Sequence, residues 1–412
     1  MIGALPGGEG RYRWVILGIA TIAQVGTAVI YLGVGVLAGF IQERFDLSGA
    51  QTGLLITAIG IVPLFALIPV GRFLDHHSER HIITGGALLL GLGVAAASLV
   101  DSYLVLLVAF AIAGAGYATA QPGGSKVVAA WFPARERGVA MGIRQTGLPL
   151  GGAIAAATLP WLADRHGVGS ALLTAAGAAV GGGLVFFALY RPAPMPAETG
   201  YRLGRQLTTL LAEFRIRTAM WAGVATVGAQ FALLSYLMLY LRDVHEIPLT
   251  RGAWMLFTAQ MMGVVGRVAL ARWSDRLGSS RLTPVLTAVV ATAIGSMALA
   301  ALPSAAPVGL LYVLAGVMGF WAFGWYGPWV VYVAEIAEGR AVGLTLALAM
   351  TANQLGLVAA PPLFGLIVDR AGNNYRPAWA VLSLMLAVAA SRIVAGVRRE
   401  AGEMRSSDRL TR

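Results

Sequence analysis

Cysteine is absent from the 412-residue sequence, and lysine occurs only once, at Lys126. Without cysteine the chain forms no disulfide, uses no thiolate in catalysis and offers no cysteine ligands to a metal. The sequence GGSKVV around Lys126 lacks the glycine spacing of a phosphate-binding loop, which excludes ATP as a direct energy source. We therefore expect no metal and no cofactor, and any work done by this chain must draw on a gradient.

Charge of either sign is also scarce. Only 12% of the residues are charged and 58% are hydrophobic, whereas an ordinary soluble domain carries roughly 25% charged residues. Apolar stretches of about 18 residues or more are long enough to cross a bilayer as helices. The sequence predicts an all-α membrane protein with twelve such stretches, numbered here as spans 1 to 12: 14–40, 50–71, 82–100, 104–130, 138–162, 168–190, 218–241, 252–272, 283–302, 306–334, 341–368 and 377–397.

The longest interruption lies at 191–217, where prolines and arginines separate six spans from six. It predicts an N-terminal six-helix half at 1–190, a cytoplasmic central loop at 191–217, a C-terminal half at 218–397 and a cytoplasmic tail at 398–412. Span 1 is too long to be a signal-peptide core, so we expect it to be retained.

The basic residues are unevenly distributed between the connections. About 21 arginines fall in the N-terminal head, the even-numbered connections and the tail, against about 6 in the odd-numbered connections. This bias predicts that both termini lie in the cytoplasm and that the protein resides in the cytoplasmic membrane. It also accounts for the net charge of +11, so we expect contact with membrane lipid, no nucleic-acid partner and a monomeric chain.

A charged block occurs twice, as GRFLDHHSER at 71–80 and ARWSDRLGSSR at 271–281. The two aspartates, Asp75 and Asp275, lie 200 residues apart, and each block follows a long apolar segment. This spacing indicates an internally duplicated membrane protein. The alternative interpretation is a pair of ordinary polar turns.

The twelve spans, the central loop and the duplicated block resemble the major facilitator superfamily over nearly the whole chain. The resemblance implies two pseudo-symmetric six-helix halves that alternate in access, with the duplicated block as a conformational latch. Gly71 would permit close helix approach and Asp75 would act as the charged element. The other residues expected in the latch are Arg80, Arg135, Arg137, Asp275 and Arg276.

Two further stretches resemble facilitators that carry organic anions. WFPARERGVAMGIRQTGLPLGG at 131–152 is similar to the region of spans 4 and 5 in such proteins, and GRVALARWSD at 266–275 to their span 8. The second resemblance implies that Arg267 binds a substrate carboxylate. Oxalate-type carriers also place a lysine in span 11, where this chain has Asn353 and Gln354, which favours a singly charged acid over a dicarboxylate.

The predicted membrane interior contains positive but no negative side chains. All 19 acidic residues fall at loops or helix ends, whereas Lys126, Arg144 and Arg267 lie within spans 4, 5 and 8. Ionisable groups inside a membrane are costly and point to function, and arginine presents a planar fork of donors that matches a carboxylate. The alternative is that these side chains extend to the membrane interface or form structural pairs within the protein.

Uncharged polar groups are expected to complete the site. Gln24, Gln230, Gln260 and Asn353 fall near mid-membrane, and helical spacing places Gln260 on the face of Arg267 and Tyr117 on the face of Gln121. The alternative for each amide is a hydrogen bond between helices. In span 10, Trp321, Trp325 and Trp329 form a stripe beside a predicted break at Gly327–Pro328; it either packs internally, faces lipid or lines a cavity.

These observations predict a non-enzymatic secondary transporter of a small organic anion, a monocarboxylate carried together with protons. Two alternatives stay open. GLPLGG at 147–152 is similar to a motif of facilitator antiporters, which favours an exporter of neutral or amphipathic compounds. A membrane sensor that transports nothing is the other, although the chain carries no signalling domain.

Overall fold

The computed structural model describes residues 9–192, 209–277, 281–337 and 342–410. Nearly all of these residues are helical. The helices are Glu9–Val36, Ala38–Phe45, Gly49–His76, Glu79–Ala97, Tyr103–Tyr117, Ala120–Trp131, Ala134–Gln145, Gly147–Leu189, Phe214–His245, Leu249–Leu277, Leu282–Ala301, Val308–Gly324, Tyr326–Ile336, Val342–Arg370 and Arg376–Leu410.

Eleven helical segments in the described ranges are long and apolar enough to cross a membrane. One of them, Val139–Leu189, has 51 residues, and a straight helix of that length would be about 76 Å long, more than twice the hydrocarbon thickness of a bilayer. Gly167 interrupts it, with φ 82° and ψ 162°, a backbone conformation open to glycine. The segment is therefore spans 5 and 6, which confirms the prediction of twelve membrane crossings.

The helices extend further than the apolar stretches that predict them. Span 2, for example, continues through the polar residues after Gly71 and ends at His76. Its start is fixed by Ser48, whose hydroxyl accepts from the backbone N–H of Gln51 while the Gln51 side chain accepts from the N–H of Ser48. This reciprocal cap satisfies two otherwise unpaired donors.

Spans 4 and 10 are broken at equivalent places in the two halves. The breaks lie at Ala118–Thr119 and at Trp325, four residues and three residues before a proline respectively. Pro122 and Pro328 have no N–H, so the carbonyl groups four residues earlier lose their helical donors. The break in span 10 therefore lies just before Gly327–Pro328, where the sequence predicts it.

The two halves use the same internal packing. Span 1 packs on the continuous helix of spans 5 and 6, span 2 on span 4, and span 3 on span 6; in the second half span 7 packs on span 11, span 8 on span 10, and span 9 on span 12. We call the surface with the odd-numbered connections the odd face, and the surface with the chain termini the even face.

The halves meet most extensively along spans 2 and 11 toward the odd face. Asp369 at the end of span 11 accepts hydrogen bonds from the N–H groups of Gly49 at 2.7 Å and Ala50 at 2.8 Å. A carboxylate from one half thus caps the first turn of a helix in the other, where free N–H groups and the helix dipole favour negative charge.

The same contact continues into the membrane. The Thr57 hydroxyl donates to the carbonyl of Val358 at 2.6 Å, a group that Pro362 leaves without its helical donor. The Tyr236 hydroxyl lies 2.8 Å from the carbonyl oxygens of both Gly49 and Pro361. These bonds close the odd face between the two halves.

We expect Gly53→Ala to open the odd face. A Cβ at Gly53 would lie 2.5 Å from the carbonyl carbon and oxygen of Pro361, so spans 2 and 11 must separate. A single cysteine in place of Val358, which is half-buried in this contact, should then react several-fold faster with an impermeant thiol reagent. The matched control is Gly71→Ala in the same helix, where a Cβ meets nothing within 4 Å. Equal labelling of the two variants would contradict the expectation.

Candidate functional site

Two buried arginines approach the boundary between the halves. Arg144 lies near the end of the helix Ala134–Gln145 in span 5, and Arg267 lies in span 8. They are 1% and 5% exposed. Side chains that reach for the membrane interface would be accessible, so the interpretation that these arginines extend to the interface is wrong.

Arg144 is held by the backbone of broken span 4. Its Nη2 donates to the carbonyl of Ala120 at 2.8 Å and lies 3.4 Å from the carbonyl of Gln121. Its Nη1 lies 3.5 Å from the Ser125 hydroxyl, and its Nε has no hydrogen-bond partner. The guanidinium therefore uses carbonyl groups of its own half as acceptors.

Arg267 bridges the halves instead. Its Nε donates to the carbonyl of Phe323 in span 10 at 3.1 Å, and its Nη1 donates to the carbonyl of Gln145 in span 5 at 2.6 Å. The guanidinium carbon lies 5.4 Å from the ring centre of Tyr326. Each arginine thus takes one acceptor from a broken helix, and Arg267 takes a second from the opposite half.

Two tyrosines, Tyr117 and Tyr326, lie near both guanidinium groups. Arg144 and Arg267 both interact electrostatically with Tyr117 and Tyr326. Tyr117 stacks on Tyr31 with ring centres 3.6 Å apart. The centre of the protein therefore combines two positive charges with phenol rings from both halves.

Four residues near this centre were not included among the predicted site residues. The Tyr31 hydroxyl donates to Gln354 at 3.2 Å, and Gln145 supplies the carbonyl for Arg267. Tyr326 lies beneath the guanidinium of Arg267. Helical spacing alone places Tyr31 seven residues from Gln24, on the same face, and this signal would have identified it.

Three of the predicted amides come from other helices and contact residues of span 5: Gln24 from span 1, Gln121 from span 4 and Gln260 from span 8. Gln121 accepts from the side chain of Gln145 at 3.2 Å. Gln24 packs against Gly147, and Gln260, with no exposed surface, packs against Gly152. Neither Gln24 nor Gln260 makes a side-chain hydrogen bond, so the alternative of interhelical hydrogen bonds is wrong for these two.

Gln230 and Asn353 are buried elsewhere in the second half. Asn353 packs against Gly223 of span 7, and its Oδ1 has no partner. Trp329 is fully buried beside it and donates to the carbonyl of Ala219 at 2.8 Å. Gln230 is buried in span 7. Trp325 and Trp329 therefore pack internally, and the lipid-facing interpretation is wrong for these two rings.

Lys126 is not a free positive charge, which corrects the sequence interpretation. Its Nζ lies 2.9 Å from the Glu79 carboxylate and also donates to the carbonyl of Leu74. The Tyr190 hydroxyl lies 3.5 Å from the same carboxylate. Glu79 begins span 3 and is 8% exposed. The sequence alone does not reveal this ion pair, because Glu79 and Lys126 lie on different helices and far apart in the chain.

The latch residues of the first half are only partly described. The side chains of Asp75 and Arg135 lie outside the described residues. Gly71 is not in close helix contact, since a Cβ there would meet nothing within 4 Å; this corrects the predicted close approach. Arg80 donates to the carbonyl of Phe187 at 2.6 Å, and Arg137 donates to the carbonyl of Phe132 at 2.9 Å.

In the second half Asp275 belongs to an ion-pair network with two residues that were not predicted, Arg281 and Glu335. Arg281 lies 2.9 Å from both Asp275 and Glu335, joining the ends of spans 8 and 10, whereas Arg276 is exposed. Burial alone would lower the pKa of the Arg281 guanidinium, but the hydrogen bonds and charges of Glu335 and Asp275 raise it above its ordinary value.

Two pseudo-symmetric six-helix bundles, closed toward one face and enclosing a charged centre, define a multi-pass membrane carrier. The sequence model of the family described as Major Facilitator Superfamily matches residues 20–331. The chain therefore belongs to the major facilitator superfamily of membrane transporters.

Several relatives match nearly the whole chain. An uncharacterized transporter of Mycobacterium tuberculosis is 27% identical, covering 91% of this chain and 83% of its own. The D-galactonate transporter of Escherichia coli is 24% identical, covering 92% and 94%. A probable sulfoacetate transporter of Cupriavidus necator is 25% identical, covering 89% and 90%.

The fold is also that of a solved structure. A bacterial homologue of the human lysosomal transporter Spinster, in an inward-facing and unoccupied conformation, superposes with a TM-score of 0.78 at 16% identity, covering 96% of this chain and 98% of that one. At this identity the likeness establishes the fold of two six-helix bundles.

We expect the Glu79–Lys126 pair to stabilise the first half. Glu79→Gln and Lys126→Met should each lower the melting temperature by a few degrees, because each leaves a buried charge without its partner, and the double variant should recover part of the loss. Asp101→Asn, which breaks the exposed Arg44–Asp101 pair, is the control and should have little effect. Additive losses in the double variant would contradict the pairing.

Proposed function

We propose that this protein transports a small organic anion with a single carboxylate group by alternating access. The observation that carries the proposal is the pair Arg144 and Arg267, two buried guanidinium groups whose acceptors within the described residues are neutral groups, chiefly backbone carbonyl oxygens, rather than carboxylates. A substrate carboxylate offers both groups a charged acceptor, and charge-assisted hydrogen bonds are roughly twice as strong as neutral ones.

The conformation supports alternating access. The odd face is closed by Asp369 and the contact of spans 2 and 11. We assign the even face to the cytoplasm, since it carries most of the arginines. The structure then corresponds to the state closed toward the outside, and the Asp275–Arg281–Glu335 network acts as a latch on the cytoplasmic side.

The amides indicate what the rest of the substrate carries. Arg267 donates to the carbonyl of Gln145, and Gln260 packs against Gly152. Arg267 and Gln260 are seven residues apart in span 8, which corresponds to about 10 Å along the helix. Buried amides without partners are costly, and each offers a donor and an acceptor suited to hydroxyl groups. A hydroxylated acid of about six carbons fits this spacing, in keeping with the D-galactonate transported by one relative.

Proton coupling is the preferred source of energy. Among the described residues, the carboxylates lie at helix ends or connections, and Glu79, which is largely buried, is paired with Lys126. Within the described parts of the chain, no carboxylate lies beside the two arginines to hold a proton. We infer that the proton travels on the acid itself or is coupled electrostatically to the loaded arginine site, which makes uptake favourable at low external pH.

Arg267→Lys should reduce transport at least about tenfold, equivalent to about 1.4 kcal/mol. Lysine keeps the charge but loses the planar fork, and it cannot contact Phe323 and Gln145 with the same geometry. Initial uptake rates in proteoliposomes provide the measurement, with Arg251→Lys at the exposed start of span 8 as the matched control. Normal uptake by Arg267→Lys would remove this arginine from the binding site.

Substrate selectivity distinguishes the proposed organic-anion transporter from an exporter of neutral or amphipathic compounds. D-galactonate should be taken up in preference to its amide, because the amide lacks the charge that two arginines attract. It should also be preferred over hexanoate, which leaves Gln24 and Gln260 unpaired, and Gln260→Leu should reduce that second preference. Uptake of the acid should rise as external pH falls.

Each outcome of the selectivity assay points to one reading. Preferential transport of a lipophilic amine would overturn the organic-anion proposal and favour an exporter of amphipathic compounds. Acid exchange that does not respond to pH would retain the anion site and exclude proton symport. Absence of transport for every solute, with binding intact, would favour the sensor.

A further inference from the structure

Arg144 lies on a seat that only glycine can form. A Cβ added to Gly124 would overlap the Nε, Cζ and Nη2 atoms of the Arg144 guanidinium. The guanidinium therefore lies directly against the span 4 backbone, in the segment that follows Pro122. This close approach is what brings Nη2 within 2.8 Å of the carbonyl of Ala120.

The seat draws Arg144 away from the opposite half. A cavity of about 10 Å³ borders Arg144 and Gly124, which is room for about one water molecule. Its walls come from spans 1, 3, 4 and 6 of the first half, including Ala23, Ile83 and Phe186. The guanidinium thus faces the interior of its own bundle, whereas Arg267 reaches across to Gln145.

We propose that Gly124 is a positioning residue that lets Arg144 retract onto span 4 when the site is empty, so that an incoming anion must draw it out. The proposal rests on the proposed anion transport. It assigns the two arginines unequal roles: Arg267 stays at the boundary between the halves, and Arg144 joins the substrate only after it leaves the carbonyl of Ala120.

Retraction lowers the affinity of the empty site. The carbonyl groups of Ala120 and Gln121 compete with the substrate for the same donors, and a site that is competent only part of the time binds more weakly by that fraction. Retraction also satisfies a buried charge when no anion is present, which a membrane interior otherwise penalises. The residue at position 124 therefore sets the balance between empty-state stability and substrate affinity.

Gly124→Ala tests this balance directly. The atoms displaced by the new methyl group belong to the end of a flexible side chain, so the helix itself need not move. We expect the variant to bind the anion about threefold to tenfold more tightly, the equivalent of one net hydrogen bond lost from the empty state. We also expect the empty variant to melt at a lower temperature, although alanine ordinarily stabilises a helix relative to glycine.

The matched control is the neighbouring glycine. A Cβ at Gly123 would meet the Ile83 side chain at 2.6 Å and no atom of Arg144. Gly123→Ala therefore adds the same methyl group to the same helix without touching the guanidinium. It should leave anion affinity unchanged within a factor of about two.

A double-mutant cycle with Arg144→Gln separates positioning from simple packing. Glutamine is shorter and carries no guanidinium, so both effects of Gly124→Ala should disappear in that background. The probes are D-galactonate, lactate and hexanoate, with binding followed by calorimetry and empty-state stability by thermal unfolding. The stability arm requires no ligand.

The outcomes distinguish the two proposals. Tighter binding by Gly124→Ala that depends on Arg144 supports the seat. Unchanged or weaker binding by this variant, or an equal change of stability in the Arg144→Gln background, overturns it while leaving anion transport intact. If none of the three acids binds the wild-type protein, the proposed function fails and the substrate-linked role of Gly124 fails with it.

Discussion

A guanidinium ion removed from water needs oxygen acceptors for its N–H donors, and this need organises the centre of the protein. An arginine has five N–H donors and remains protonated, so a buried one needs several acceptors. Helices in a membrane offer almost none, because their carbonyl groups are bonded internally. The two acceptors lie next to the breaks in spans 4 and 10: the carbonyl of Ala120 serves Arg144, and that of Phe323 serves Arg267.

At the closed face a proline frees a backbone carbonyl group for a contact between the halves. Pro362 deprives the Val358 carbonyl of its helical donor, and the hydroxyl of Thr57 in the other half replaces it. Contacts of this kind cannot be exchanged gradually, since a carbonyl without a donor is costly in an apolar environment. The boundary between the halves is therefore either made or broken as a set.

The sequence was sufficient to predict the fold. Span lengths, the charge distribution and the repeated aspartates Asp75 and Asp275 each depend on local composition or spacing, which survive without knowledge of tertiary contacts. Arg144 and Arg267 were identifiable for the same reason, because a charge within an apolar stretch is conspicuous. Their acceptors were not, since they are backbone carbonyl groups of other helices, and which of these lies within reach depends on how the spans pack.

The incorrect expectations have the same origin. Lys126 looked like a third interior charge because Glu79, its partner, belongs to another helix and lies at its end. Gly71 matched a motif for close packing, yet a Cβ at this position would meet nothing within 4 Å. Tyr31 was not predicted, although its spacing from Gln24 pointed to it; its stacking on Tyr117 depends on a contact between helices that the sequence does not show.

Spans 5 and 6 are joined by the single left-handed residue Gly167, with no loop to take up slack. The two helices can therefore change only the angle between them. Arg144 lies 23 residues from this joint, about 35 Å along the helix, so a rotation of about 5° displaces it by about 3 Å. A small rotation of the helix about Gly167 therefore moves Arg144 by about as much as its side chain must move to leave the carbonyl of Ala120.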